Sequence, residues 1–236
     1  MGTGSTRRLR VDASRLPDQE PELRVEEIAM PGRQCDGHTV PARGAVTDLR
    51  EQVVDVIRER GLIRFDEPVT LASGEKSREF VDGKAALSRG EDLELACRAL
   101  LEHVSDLDFD AIGGMTMGAD QFAHVVAVFA RKEWFVVRKT PKGRGTNRLV
   151  EGAKVGRGWR VLVVDDVVTT GGSMRKACET IEQVGAQVVG AVALVDRGEV
   201  AARYFDERGI PYRPVVTYRD LGIEPVGGGS VQPQAV

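Results

Sequence analysis

Val161-Leu-Val-Val-Asp-Asp-Val-Val-Thr-Thr-Gly-Gly-Ser173 joins an apolar run to two adjacent carboxylates and then to a glycine-bearing turn. Val161–Val164 reads as a buried strand, and residues 172–184 read as a helix closed by Gly185. The start of a helix leaves backbone N–H groups unpaired and carries partial positive charge. Glycines let that backbone approach a ligand closely, and Thr and Ser hydroxyls add donors, so the turn reads as a phosphate cradle. Carboxylates beside a phosphate would repel it. They suit sugar hydroxyls instead, and they oppose positive charge on a sugar ring. The combination fits a pentose 5-phosphate, with the phosphate at Thr169, Thr170, Gly171, Gly172 and Ser173 and the ribose hydroxyls at Asp165 and Asp166. No Gly-Lys-Ser/Thr follows, so this is not a Walker A loop, and it is not a Gly-x-Gly-x-x-Gly dinucleotide turn. A strand end with a capping Asp and a plain Thr/Gly turn is the bland alternative. Against it stands the cost of two neighbouring acids at the end of a buried strand with no ligand or cation.

Outward from this segment, strands and helices alternate. Asp48 is placed to cap a helix that carries Leu49, Val53, Val56 and Ile57 and stops at Gly61. Short strands follow at 62–65, 69–72 and 79–82, separated by turns at 66–68 and 73–74. Helices are expected at 91–104, 119–130 and 200–208. Strands are expected at 110–114, 134–138, 160–164, 187–195 and 212–217, and a polar loop at 139–152. Continuous Val/Leu/Ile strands between helices predict an α/β fold, a central parallel sheet flanked by helices. Ligands then bind at the strands' C-terminal ends, after Gly113, Arg138, Val164 and Val195. Residues 1–44 lack either period and read as a flexible N-terminal extension, with a translation start near Met30 as an alternative. Residues 225–236 read as a flexible C-terminal tail. Arg7, Arg8 and Arg10 read as a solvated charge cluster rather than a nucleic-acid arm.

The formal net charge of −3 over 236 residues offers no global field for nucleic acid or an anionic membrane. The longest apolar runs, near Val161–Val164 and Val188–Val195, are too short to span a bilayer, and no secretory h-region opens the chain. A cytoplasmic location is expected. Cys35, Cys97 and Cys178 have no metal-ligand spacing and read as reduced thiols. His38, His103 and His124 form no triad-like arrangement, and Trp134 and Trp159 read as packing residues. Basic chemistry is local: Arg138, Lys139, Lys142, Arg144 and Arg148 fall in one glycine-jointed stretch without an acid. Gly143 and Gly145 would let such a loop close over an anion. Gly113–Gly118 lies between a strand and a helix, a common kind of turn whose glycines and following helix start would suit an anion.

Val161–Ser173 resembles the PRPP-binding motif (PRPP, 5-phosphoribosyl-1-pyrophosphate) of type I phosphoribosyltransferases. The similarity runs over about residues 45–224 and is greatest to the orotate phosphoribosyltransferases, particularly actinobacterial ones. The resemblance implies a five-stranded parallel sheet with a small hood, here from about 62–84 together with the N-terminal helix. It implies transfer of ribose 5-phosphate from PRPP to orotate, giving orotidine 5'-monophosphate and pyrophosphate in pyrimidine biosynthesis. Mg²⁺ would be held mainly by substrate and water, with Asp165 as a candidate ligand. A homodimer would share the 139–150 loop across subunits. Lys142 matches the family's catalytic lysine, acting with Asp165 and Asp166. Arg138 and Lys139 match its strand-end basic pair, and Thr116, Met117 and Gly118 match its pyrophosphate turn. Phe80 in the hood and Arg197 match base-binding positions, Arg197 facing the acceptor's carboxylate. Four positions depart from the pattern. Arg144 stands where a histidine is usual, Met117 and Ala72 stand where lysines occur, and Glu79 replaces an aromatic residue. An acid at Glu79 disfavours an anionic acceptor. Transfer to another base, purine or specialised pyrimidine, and a non-catalytic PRPP- or nucleotide-sensing role are therefore the alternatives.

Overall fold

The computed structural model describes residues 48–71, 73–141 and 148–227, together with two short backbone segments near the N-terminus. The chain divides into two units, Met1–Val46 and Thr47–Val236. In the first, Arg8–Leu9 pairs antiparallel with Val25–Glu26, and the rest of the expected extension lies outside the described residues.

The second unit opens with α1 (Leu49–Val56), which runs on as a π-helical turn to Gly61. Asp48 caps it, accepting from the Arg50 N–H at 3.0 Å. Next come β1 (Leu62–Thr70), β2 (Lys76–Val81), α2 (Gly83–Ala86) and α3 (Gly90–His103). They are followed by β3 (Ala111–Met115), α4 (Asp120–Ala130), β4 (Glu133–Val137), β5 (Val150–Gly152) and β6 (Arg160–Val168). The chain continues through α5 (Gly172–Gln183), β7 (Gln187–Asp196), α6 (Val200–Asp206), β8 (Val216–Thr217) and α7 (Tyr218–Leu221).

Strands β1 and β2 form a separate antiparallel hairpin. The six-stranded sheet has the order β8-β7-β6-β3-β4-β5, parallel except for β5 at one edge. Each sheet face carries its own core. On one, α1, α3 and α4 bury Val53, Cys97, Leu100, Phe122 and Val126 against Ile112, Leu162 and Val164. On the other, α5 and α6 bury Met174, Ala177, Cys178, Ile181 and Phe205 against Phe135, Val161 and Val163. Met174, Ala177, Cys178 and Ile181 recur at i, i+3, i+4 and i+7, the spacing of one apolar helix stripe. Strand alternation sends Leu162 and Val164 to one face and Val161 and Val163 to the other, which explains the uninterrupted apolar run. From β3 the chain first moves to β4 on one side, then returns to β6 on the other. The strand order reverses there, so the crevice between the ends of β3 and β6 is the topological switch point where such sheets bind ligands.

Several expected elements differ in the structure. β6 does not stop at Val164: Asp165 pairs with Ala193 and Val167 with Val195, so both carboxylates lie inside the strand. Polar residues at a ligand-facing strand end look like a turn to any hydrophobic pattern. The segments expected at 62–65 and 69–72 are one strand, β1, whose register shifts between Arg64 and Val69. A strand, β5, lies in the expected 139–152 loop, paired antiparallel with Phe135–Val137, and it makes the sheet six-stranded rather than five. The last strand shrinks to Val216–Thr217 plus a bridge from Tyr212 to Ala191. Helices α2 and α7 are too short to leave a 3.6-residue period. Packing continues to Val226, which is buried and donates its N–H to the Arg197 carbonyl at 2.7 Å. Burial pushes the Cys97 and Cys178 thiols up to about 12, as inert core thiols require. Trp134 is 40% exposed and meets His124 edge-on, while Trp159 packs on the second core. Among the described residues no helix is long and apolar enough to cross a membrane.

Candidate functional site

Three strand ends supply the site. At the end of β6, Asp165 and Asp166 are both buried. The Asp166 N–H donates to Asp165 Oδ1 at 3.0 Å, and the Val167 N–H donates to Asp166 Oδ1 at 2.8 Å. The Lys84 ammonium, from α2, is paired with Asp166 Oδ2. Burial raises the Asp165 carboxyl above its ordinary range, and the neighbouring Asp166 charge raises it further. For Lys84, burial works against the charge. The hydrogen bond to Asp166 and the charges of Asp166, Asp165 and Asp82 outweigh it and raise the ammonium above its usual value.

At the end of β3, the turn Met115–Gly118 lies directly on those carboxylates. A Cβ on Gly118 would stand 2.3 Å from Asp165 Oδ1 and 2.6 Å from Asp166 Oδ1, so only glycine fits. Thr116 Oγ1 donates to Asp120 Oδ2 at 2.8 Å, the Thr116–Met117 peptide is cis, and Met117 is 69% exposed.

Past β6, Thr169–Ser173 turns into α5 through Gly171, whose φ of +75° suits glycine. No side chain caps α5 among the described residues. Its first N–H groups are therefore available to an anion. A cavity of about 350 Å³ is lined by Thr169–Ser173 together with Ser73 and Asp165. A second, of about 570 Å³, is lined by the Met115–Gly118 turn, Lys84, Arg138, Lys139, Asp165 and Asp166. Asp165, Val167 and Ser173 line both, so an anion cradle and a cation-bearing cavity adjoin across one carboxylate.

At the end of β4, the Arg138 N–H donates to the Leu149 carbonyl at 2.8 Å, closing the stem of the basic loop. Lys176 Nζ, on α5, donates to the Lys139 carbonyl at 3.2 Å. Lys142 and Arg144 lie outside the described residues, as does Ala72.

Arg197 and Phe80 line neither cavity. Arg197 is fully buried, and it donates from Nη1 to the Glu79 carbonyl at 2.8 Å and from Nη2 to Ser77 Oγ at 3.3 Å. It braces the β1–β2 hairpin against the end of β7. Among the described residues its Nε has no partner. Phe80 is 39% exposed on β2.

Lys84 is the residue that sequence reasoning passed over. A usable signal was present in Asp82-Gly83-Lys84: Asp82 Oδ1 accepts from the Lys84 and Ala85 N–H groups at 3.1 and 3.0 Å, a capping aspartate that places a lysine one residue into a helix.

Next to Arg197, Asp196 accepts from the Gly198 N–H at 3.1 Å, and burial pushes its carboxyl up to about 6. The folded state thus holds its proton to higher pH than the unfolded chain does, so stability falls as pH rises from the ordinary aspartate value through about 6. Asp196→Asn keeps the acceptor and removes the charge. The expected result is a higher unfolding free energy near about pH 8, by up to about 3 kcal/mol and seen as a raised melting temperature, with little change near about pH 4. Thermal melts across that range check it, and an unchanged slope would contradict it.

Residues 85–210 match the phosphoribosyl transferase domain family. The chain belongs to the phosphoribosyltransferases. It is 40% identical over 183 residues to an orotate phosphoribosyltransferase of Streptomyces avermitilis, covering 75% of this chain and 99% of that one. It is also 40% identical over 168 residues to the orotate phosphoribosyltransferase of Aquifex aeolicus, covering 69% and 91%. Among solved structures, Mycobacterium tuberculosis orotate phosphoribosyltransferase in complex with PRPP superposes with a TM-score of 0.61 at 34% identity, over 74% of this chain and 99% of that one. These alignments leave about a quarter of this chain without a counterpart in the Streptomyces relative.

Proposed function

We infer that this chain transfers ribose 5-phosphate from PRPP to orotate, releasing pyrophosphate and forming orotidine 5'-monophosphate. The observation that carries the reading is the pair of adjoining cavities at Asp165, one built for a terminal phosphate and one for a more highly charged anion. Relatives that align over nearly their whole length are orotate phosphoribosyltransferases.

Each residue has a role in that reaction. Thr169–Ser173 hold the 5-phosphate at the uncapped start of α5. Asp165 and Asp166 accept the ribose hydroxyls and face the positive charge that grows on the ring as the anomeric C–O bond breaks. Thr116, Met117 and Gly118 offer backbone to the pyrophosphate, and Arg138 and Lys139 supply charge at its rim. Lys142 and Arg144 add charge from the loop, which in a homodimer crosses to the partner's site. Phe80 belongs to the hood that covers the base, and Arg197, at the end of β7, acts by fixing β2. The incoming ring nitrogen gives up its proton to solvent or to the departing pyrophosphate and forms a bond to the anomeric carbon as pyrophosphate leaves with the electron pair, so no protein nucleophile is needed.

Mg²⁺ fits the residues present. Asp165 and Asp166 are two adjacent carboxylates, and no cluster of three or more His, Cys, Asp or Glu suited to a metal forms among the described residues. A divalent ion held there would take most of its ligands from water and substrate oxygens. When bound, it supplies charge neutralisation to the pyrophosphate.

The test is incubation with Mg²⁺-PRPP and orotate, following loss of orotate ultraviolet absorbance, beside a panel of purines and other pyrimidines. Consumption of orotate is expected. Turnover of a neutral base alone would reassign the acceptor, as Glu79 would favour. PRPP binding with no base consumed would make the protein a sensor.

A further inference from the structure

We propose that Lys84 is a substrate-binding residue of this site, whose ammonium holds Asp166 in the free protein and passes to the pyrophosphate group of PRPP when the donor enters. The inference rests on reading the chain as a PRPP-dependent transferase. Five observations carry it. Lys84 lines the same cavity as the Met115–Gly118 turn and both carboxylates. That turn brings no cation of its own, since Met117 occupies its exposed tip.

The pair with Asp166 is lopsided: the Lys84 side chain is 47% exposed and that of Asp166 only 10%. A buried carboxylate thus depends on a cation that solvent, or another anion, can reach. A half-solvated ammonium on a flexible stem exchanges partners readily.

The origin of that stem is fixed. Asp82 caps α2, and a Cβ on Gly83 would stand 3.2 Å from Val167 Cγ2 and 3.4 Å from Asp166 Cβ, so the backbone immediately before Lys84 is pressed against β6. Only the side chain is free to swing.

Finally, Asp166 Oδ2, shared with the Lys84 ammonium, is a weaker acceptor for a ribose hydroxyl than a free carboxylate oxygen. Donor binding brings several negative charges into the cavity, and the ammonium gains a stronger partner as the carboxylate is released. Lys84 thereby couples the two halves of donor recognition, ribose and pyrophosphate.

The experiment compares wild type, Lys84→Met and Lys84→Arg in steady-state kinetics, with titration calorimetry of Mg²⁺-pyrophosphate on the same proteins and on Lys84→Met/Asp166→Asn. Lys84→Met is expected to raise the KM for PRPP and the Kd for pyrophosphate about tenfold or more, the loss of one charge-assisted hydrogen bond. The KM for orotate should stay within about twofold, and Lys84→Arg should recover most of the loss. The double variant should remain weak for pyrophosphate, because the missing cation is not restored by removing the carboxylate's charge. Recovery of pyrophosphate affinity in the double variant would overturn the proposal, since Lys84 would then only neutralise Asp166. Unchanged pyrophosphate affinity in a folded Lys84→Met protein would overturn it as well. A wild type that binds pyrophosphate but consumes no orotate would overturn the parent reading, and the calorimetry would still decide Lys84.

Discussion

Asp165→Asn is expected to lower kcat/KM for PRPP by about 10²- to 10³-fold while making the free protein more stable at neutral and alkaline pH. The two effects share one cause. Asp165 sits inside β6 beside a second carboxylate, and burial and that neighbour both disfavour its charge. Asparagine keeps the oxygen that accepts the Asp166 N–H but carries no charge to bury. The ribose hydroxyls and the ring's developing positive charge lose the charged partner, at about 1.5–3 kcal/mol per hydrogen bond. Stability tied up in a binding site is commonly recovered when function is removed. The checks are initial rates against PRPP and thermal melts near about pH 5 and pH 8, and the sign follows from the raised carboxyl: the stability gain is present at the higher pH and shrinks as Asp165 takes up its proton. Retained turnover would refute the ribose assignment, and a lower melting temperature would refute the electrostatic account of the strand end.

Gly118→Ala is the second large effect. It adds one carbon where Asp165 Oδ1 would be 2.3 Å away and Asp166 Oδ1 2.6 Å away. Neither oxygen belongs to a long flexible side chain that swings aside, because both carboxylates also accept backbone N–H groups. The turn must lift off the strand end. Overpacking of this kind costs about 1–3 kcal/mol. A shift of about 1 Å in a group that positions substrate costs about a hundredfold in rate. Gly90→Ala is the matched control, since an added Cβ there meets nothing within 4 Å. The expected pattern is loss of activity and a lower melting temperature for Gly118→Ala, with neither for Gly90→Ala. Wild-type rates in Gly118→Ala would show that the turn's contact with the carboxylates is dispensable.

The sheet was legible because its inner strands bury both faces, and so appear as unbroken runs such as Val161–Val164 and Val188–Val195. The turn Thr169–Ser173, which lines a cavity with Asp165, stood out because glycines, hydroxyls and acids are each rare at a strand end and meet in one short stretch. What escaped was set by partners distant in sequence. Strand β5 exists only because Val150–Gly152 finds the open edge of β4. Lys84 and Asp166 are 82 residues apart, and nothing local to either announces the other. Arg197 was expected to face the acceptor, yet in this structure its guanidinium grips Ser77 and the Glu79 backbone. A side chain's direction after a strand depends on what the hood leaves open.

The rung between Arg138 and Leu149 sets a leash on the basic loop. Lys142 is four steps along the chain from Arg138, so the two α-carbons can be no more than about 14 Å apart, however the chain runs. Arg138 lines the larger cavity. A lysine so tethered either serves that cavity or serves one whose mouth opens within a comparable stride. Were two subunits to exchange these loops, their reaction centres would have to lie within that reach of each other, and each lysine would act on the partner's site as a tethered rather than a free cation.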